Sequence, residues 1–203
     1  NPLPIIDPGV DQIACAGSAV TLNGAGAIAY AWDNGVTDGV PFGQGVGTTI
    51  YTVTGTDGNG CSATDQVSVT INPLPIVVAG TDQTVCFGTP VTLNGSGAVG
   101  YVWDNAVVDG VAFVQAVGTV TYSVIGTDVN GCSSNDQVDV IVNPLPVVGT
   151  GIDQTVCFGT TVILNGTGAV GYLWNNGVTD GVSFVPAIGT LTYTVTGTDA
   201  NGC

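Results

Sequence analysis

The sequence predicts an all-β protein built from tandem sandwich-type repeats, and three observations predict it. The chain repeats itself every 71 residues: Asn-Pro-Leu-Pro stands at 1–4, 72–75 and 143–146, and Trp32, Trp103 and Trp174 keep the same step. Apolar residues alternate with Thr, Ser and Asp over short runs, Gly, Pro and Asn recur every 8 to 12 residues, and no stretch sustains a helical period. Finally, 44% of the residues are apolar, enough for a packed core rather than a disordered acidic tail.

The elements can be justified in order along the second repeat. Residues 76–85 read as extended and 87–90 as a turn; Val91, Leu93 and Gly95 then alternate with Thr92 and Asn94. Residues 101–103 form a short aromatic strand, and 111–113 another. Across 120–127, Val120, Tyr122, Val124 and Gly126 alternate with Thr121, Ser123, Ile125 and Thr127, the pattern of a strand buried on one face. Asn130 and Gly131 tolerate the left-handed conformation of a tight hairpin turn. Residues 137–142 supply the closing strand. Boundaries fall at 1–71, 72–142 and 143–203; the third repeat stops at Cys203, where the others continue with 62–71 and 133–142, so its last strand is expected to be missing and the chain reads as part of a longer array.

Six or seven short strands, a Trp on the third and a Tyr early in the penultimate one make each repeat immunoglobulin-like. About 70 residues is small for such a sandwich, which buries only roughly 60% of its unfolded surface and gains from a crosslink or a neighbour. The Asn-Pro-Leu-Pro connector is short and stiff because each Pro fixes φ, so an elongated, semi-rigid rod is expected.

A family resemblance rests on particular residues: Gly80-Thr-Asp-Gln-Thr-Val-Cys86-Phe-Gly88, Val91-Thr-Leu-Asn-Gly95, Tyr101-Val-Trp103, Gly118-Thr-Val-Thr-Tyr122 and Gly126-Thr-Asp128-Val-Asn-Gly-Cys132. This set resembles the PKD-like and Ig-like repeats of giant cell-surface adhesins of Bacteroidota, over essentially the whole chain. The resemblance implies export by the type IX route and, for some members, a role in gliding motility. The chain departs from the PKD module after the Trp, where Asp33-Asn34-Gly35, Asp104-Asn105-Ala106 and Asn175-Asn176-Gly177 replace an Asp-Phe-Gly-Asp run.

Charge excludes most catalysis. All 15 acidic side chains are Asp, and Lys, Arg, His, Glu and Met are absent, for a net charge of −15. No Schiff base, imidazole base or cationic clamp is available, so the chain reads as a non-enzyme. Nucleic acid and anionic membrane surfaces are poor partners without Lys or Arg. Lys-dependent isopeptide crosslinks are likewise excluded, and trypsin-type proteases find no target. No run of 18 apolar residues suggests membrane insertion.

The six cysteines lie in pairs, Cys15/Cys61, Cys86/Cys132 and Cys157/Cys203, with equal spacing in each repeat. With no His and no Cys-x-x-Cys, they point to disulfides in an oxidising, extracellular setting rather than to zinc. Two pairings stand. Bonds within repeats would join Cys15 to Cys61, Cys86 to Cys132 and Cys157 to Cys203. An Ig-like topology, however, sets the two cysteines of one repeat at opposite poles, separated by a strand about 26 Å long. In a head-to-tail rod the first turn of one repeat meets the last hairpin of the next, which would pair Cys15 with Cys132 and Cys86 with Cys203 and leave Cys61 and Cys157 for neighbours. Strand direction favours this second scheme. Loop entropy does not arbitrate, at roughly 4 against roughly 5 kcal/mol.

The turn sequences Asp57-Gly-Asn59-Gly, Asp128-Val-Asn130-Gly and Asp199-Ala-Asn201-Gly offer oxygen ligands that calcium could use. Hairpin chemistry explains them better: Asp and Asn bond their own backbone, Gly takes positive φ, and no Glu exists to complete a calcium loop. No other cofactor is expected. Asp11, Asp82 and Asp153 read as strand-end hydrogen-bond acceptors. The Tyr/Trp pairs, two residues apart and on one face, read as core rather than as a sugar-stacking platform.

The function expected from these features is a structural stalk or fibre segment of an extracellular bacterial surface adhesin. Its partners would be neighbouring repeats, with a surface or polysaccharide ligand bound by regions outside this chain. The alternatives are a polysaccharide- or protein-binding module and an accessory domain of a secreted hydrolase; hairpin loops that recur as Asp-x-Asn-Gly-Cys argue against a variable binding surface.

Overall fold

A computed structural model describes residues 1–203, and it is all-β apart from one 3₁₀ turn at Asn175–Gly177. Twelve strands follow in order. In the first repeat they are β1 (Gln12–Cys15), β2 (Ala19–Val20), β3 (Ala29–Trp32), β4 (Phe42–Gly43), β5 (Gly47–Thr56) and β6 (Ser62–Asn72). In the second they are β7 (Gln83–Cys86), β8 (Gly100–Trp103), β9 (Gly118–Thr127) and β10 (Ser133–Asn143). The third contributes β11 (Gly171–Trp174) and β12 (Val195–Thr198). Two compact units result, one of Asn1–Ala79 with Gly95–Trp103 and Val124–Asp136, the other of Gly80–Asn94, Asp104–Ser123 and Gln137–Cys203.

The first unit contains a four-stranded sheet in the order β1-β6-β5-β3, faced by the β2-β4 pair. β5 and β6 form the long hairpin expected from their alternating residues, in register from Gly47↔Ile71 to Thr56↔Ser62. β1 joins the outer edge of β6 in parallel, with Gln12↔Val69 and Cys15↔Asn72. This mixed pairing places the start of each repeat alongside its own closing strand, an immunoglobulin-like arrangement. Between the sheets lie Ile6, Val20, Leu22, Trp32, Tyr51, Val53, Val67, Val69 and Ile71, all buried. The period-2 pattern read from sequence is therefore the pattern of burial: Val67, Val69 and Ile71 point inward while Ser68 and Thr70 do not. Phe42 meets Tyr51 edge to face at 5.3 Å, and Phe113–Tyr122 and Phe184–Tyr193 repeat the contact.

The second sheet has the order β7-β10-β9-β8, with β10 parallel to β7 from Val140↔Gln83 to Asn143↔Cys86. Two expectations change here. The closing strand starts at Ser133 rather than 137, because Thr127 and Ser133 already share a hydroxyl hydrogen bond beside the hairpin turn. The strands expected around 91–95 and 111–113 shrink to a single bridge, Val91↔Phe113. Gly110, at φ +72°, turns the chain in front of that bridge, and Gln115 leaves its line soon afterwards to bond elsewhere.

One glycine explains how each repeat is entered. Gly26 sits at φ +91°, and an added Cβ would collide with the carbonyl oxygen of Ile5. Gly97 and Gly168 stand in the same conformation against the carbonyls of Ile76 and Val147. Only glycine permits this approach of the leading segment to the sandwich.

In the third repeat, β11 pairs antiparallel with β12 from Gly171↔Thr198 to Trp174↔Val195, with further bridges Gly149↔Thr167 and Val162↔Phe184. Residues 154–157 and 190–194, whose counterparts in the first repeat are strand, have no strand assignment here. No helix of the chain is long and apolar enough to cross a membrane.

Candidate functional site: two cystines, the aspartate turns and an open groove

Cys15 is bonded to Cys132 and Cys86 to Cys203, with Cα–Cα distances of 5.5 and 5.4 Å and a sequence separation of 117 in each. Cys61 is half-buried and Cys157 exposed, both as free thiols. The within-repeat pairs Cys15–Cys61, Cys86–Cys132 and Cys157–Cys203 are not formed. Register explains why for the first repeat: Cys15 lies opposite Asn72 at one end of β6, whereas Cys61 precedes Ser62 at the other. Eleven strand residues span about 36 Å, several times the reach of a disulfide. In the second repeat Cys86 is likewise opposite Asn143, the last residue of β10.

Each cysteine of the hairpin type is held by the turn before it. Asp57 Oδ1 accepts the backbone N–H groups of Asn59 (2.8 Å) and Cys61 (2.9 Å). Asp128 does the same for Asn130 (2.9 Å) and Cys132 (2.8 Å), and Asp199 for Asn201 (2.9 Å) and Cys203 (2.9 Å). The aspartate thus fixes the backbone that carries the sulfur. The six residues named as possible calcium ligands are arranged as three separate turns, each with one carboxylate already engaged by backbone donors.

Hydrogen bonding from the Cys61 N–H, above all, holds the Asp57 carboxyl below its ordinary value, with a lesser contribution from the Asn59 N–H. A depressed acid stabilises the fold only while ionised, so this contribution is complete above the ordinary aspartate value and disappears as pH falls through the lower folded one. The Cys61 amide resonance should therefore titrate with a midpoint below that of a free aspartate. In Asp57→Asn this titration should vanish; an unchanged titration would mean that another carboxylate governs the turn. Asp11 behaves alike: its Oδ1 accepts the Ser68 N–H at 2.8 Å, and that bond draws its carboxyl downward. Asp82 accepts from the Asp139 N–H at 2.9 Å.

Three side-chain roles escaped the sequence reading. Asp38 Oδ1 receives both the Trp32 indole N–H (2.8 Å) and the Gly24 N–H (2.7 Å), and Asp180 serves Trp174 (2.8 Å) and Gly166 (2.6 Å) in the same way. The constant spacing of Asp38, Asp109 and Asp180 behind the three tryptophans was the available signal. Tyr30, Tyr101 and Tyr172 lean their rings over Gly24, Gly95 and Gly166, while each hydroxyl both accepts from and donates to the backbone of the alanine three residues before it. Gln44 clamps the closing strand: its Nε2 donates to the Val69 carbonyl (3.2 Å) and its Oε1 accepts the Tyr51 hydroxyl (3.0 Å). Gln115, itself buried, repeats this with Val140 (3.1 Å) and Tyr122 (3.2 Å). Pro186 occupies the equivalent place in the third repeat.

The third repeat contains a groove of about 620 Å³ whose lining includes Asp153, Gln154, Val156, Val162, Leu164, Trp174, Leu191 and Tyr193. No nucleophile in it lies beside a base, since the chain carries no imidazole or amine side chain.

No protein-family model matches the chain, and no curated protein matches it. Among solved structures it is similar to the N-terminal eight Ig domains of Down syndrome cell adhesion molecule, at 15% identity over 84% of this chain and 33% of that one, TM-score 0.36. The chain thus spans a third of that protein's length. It is also similar to fibronectin(III)-like modules of CbhA from Clostridium thermocellum (17% identity, 70% and 95% covered, TM-score 0.33). An I-band fragment of titin is a further relative in shape (11% identity, 91% and 82% covered, TM-score 0.35). The chain is an all-β, immunoglobulin-like β-sandwich protein carrying two disulfides, as extracellular proteins commonly are.

Proposed function

We propose that this chain is a load-bearing stalk segment of a large extracellular bacterial surface adhesin. The observation that carries the reading is the Cys15–Cys132 cystine, which ties the first turn of one repeat to the last hairpin of the next and encloses 117 residues. A bond that only positioned an active site or a ligand loop would not need to reach across repeats. Repeats spaced by a short Pro-rich connector, a surface devoid of Lys and Arg, and crosslinks that require an oxidising compartment all suit an exposed shaft. The motif resemblance to Bacteroidota adhesin repeats extends the proposal to type IX export and a gliding-type adhesin, with 1–71, 72–142 and 143–203 as serial modules of an elongated rod and ligand binding left to other regions of the parent protein. Cys61 and Cys157 then await partners in adjoining repeats.

Single-molecule stretching tests the mechanical part. Pulled from its ends with both cystines intact, the shortest covalent path runs through Cys15, Cys132, Cys86 and Cys203, roughly 60 residues, or about 220 Å when extended. With reductant the full chain should pay out to about 730 Å. Extension to the longer value without reductant would remove the basis of the proposal. The location is tested separately by antibody labelling of intact producing cells, and labelling that requires permeabilisation would refute a surface role.

A further inference from the structure

The third repeat holds an empty berth where the first holds a strand. In the first repeat β6 lies between β1 and β5, and its Val67, Val69 and Ile71, each 2% exposed or less, seal Leu22 and Tyr51. In the third, the matching Leu164 and Tyr193 are only half-buried, and Val195 is half-buried where Val53 is fully covered. The two backbone edges flanking the groove, 154–157 and 190–194, carry no strand partner. A polar anchor waits at the rim: Asp11 and Asp82 each accept an N–H of the strand that fills their own repeat, and Asp153 stands at the equivalent position in the groove lining.

We propose that the third repeat is a strand acceptor, which binds an extended segment of a separate polypeptide carrying the closing-strand pattern Asp-Gln-Val-x-Val-x-Val of these repeats. Residues 65–71 and 136–142 both have this pattern, with Ile for the last Val in the first. The guest lies parallel to 154–157 and antiparallel to 190–198, the directions that β6 takes between β1 and β5. Backbone hydrogen bonds to both edges supply affinity, and inward Val residues over Val162, Leu164 and Tyr193 supply specificity. Pro186 offers no amide to grip a guest carbonyl, unlike Gln44 and Gln115, so the guest is held by edges and apolar contact alone. The berth is independent of the stalk reading; a chain of any function could carry it.

The test adds a synthetic peptide with the sequence of Ser62–Asn72 to the oxidised 1–203 chain in buffer containing enough salt to screen like charges. Saturable binding is expected, with amides of 190–194 and 154–157 slowed at least about tenfold in hydrogen exchange and those of β1 and β5 unchanged. A peptide with Val67→Asp and Val69→Asp should bind at least about tenfold more weakly. Asp153→Ala in the chain should weaken binding of the parent peptide while leaving the unfolding of the first repeat unchanged. The proposal is overturned by absence of saturable binding at millimolar peptide, by equal binding of the double-Asp peptide, or by protection appearing outside the groove.

Discussion

Cys15→Ser should cost the first unit about 2–5 kcal/mol, the range for losing a native disulfide that encloses a long loop. The enclosed loop of 117 residues puts the chain-entropy estimate near the top of that range, at roughly 5 kcal/mol. Thermal unfolding without reductant reads the loss, and added reductant should bring the parent chain to the same melting temperature as the variant. Cys132 is only 1% exposed, so its orphaned thiol stays in an apolar setting and adds little penalty of its own. Cys132→Ala should therefore match Cys15→Ser within about 1 kcal/mol. A melting temperature unchanged in both variants would show that sheet pairing and core carry the unit without the bond.

Trp32→Ala should destabilise the first repeat by about 3–5 kcal/mol, the usual cost of truncating a buried aromatic. Trp32 sits opposite Val53 in the β3–β5 register and belongs to the single core of that sandwich. Its indole N–H also anchors Asp38, so Trp32→Phe, which keeps most of the ring and loses the bond, should cost less, at about 1–2 kcal/mol for a hydrogen bond to a charged group. Trp174→Ala offers the comparison. Trp174 is as buried as Trp32 but lines the open groove, where water can reach the vacated space, so its cost should fall below that of Trp32→Ala. Equal costs, measured by local hydrogen exchange in each repeat, would mean that the groove is closed in solution.

What the sequence made legible was whatever repeats or alternates. The step from Trp32 to Trp103 to Trp174 located the modules, and the run from Val67 to Ile71 located the strand that closes the first core. Asp57-Gly-Asn59-Gly was readable as a turn because its hydrogen bonds are local, within four residues. The Gln44 clamp was not, since Gln44 and Val69 meet only after the long hairpin has formed, and nothing in either neighbourhood announces the other. Asp38 was hidden by company: grouped with Asp33 it looked like part of an acidic cluster, whereas the fold gives the two carboxylates different partners, Trp32 and Gly24 for one and the Thr52 N–H for the other. The short strands at 91–95 and 111–113 failed because alternation alone does not ensure a partner of equal length.

The two cystines overlap: residues 86–132 lie inside both loops. Together they divide the backbone from Cys15 to Cys203 into three stretches, 15–86, 86–132 and 132–203, and every stretch is bypassed by a route through sulfur. One break anywhere between those cysteines leaves all the pieces attached. Even two breaks, if they fall in different stretches, detach nothing, and the tether parts only when all three are severed or a bond is reduced. Damage to an exposed polypeptide accumulates one scission at a time, and this wiring turns each of the first scissions into a silent event.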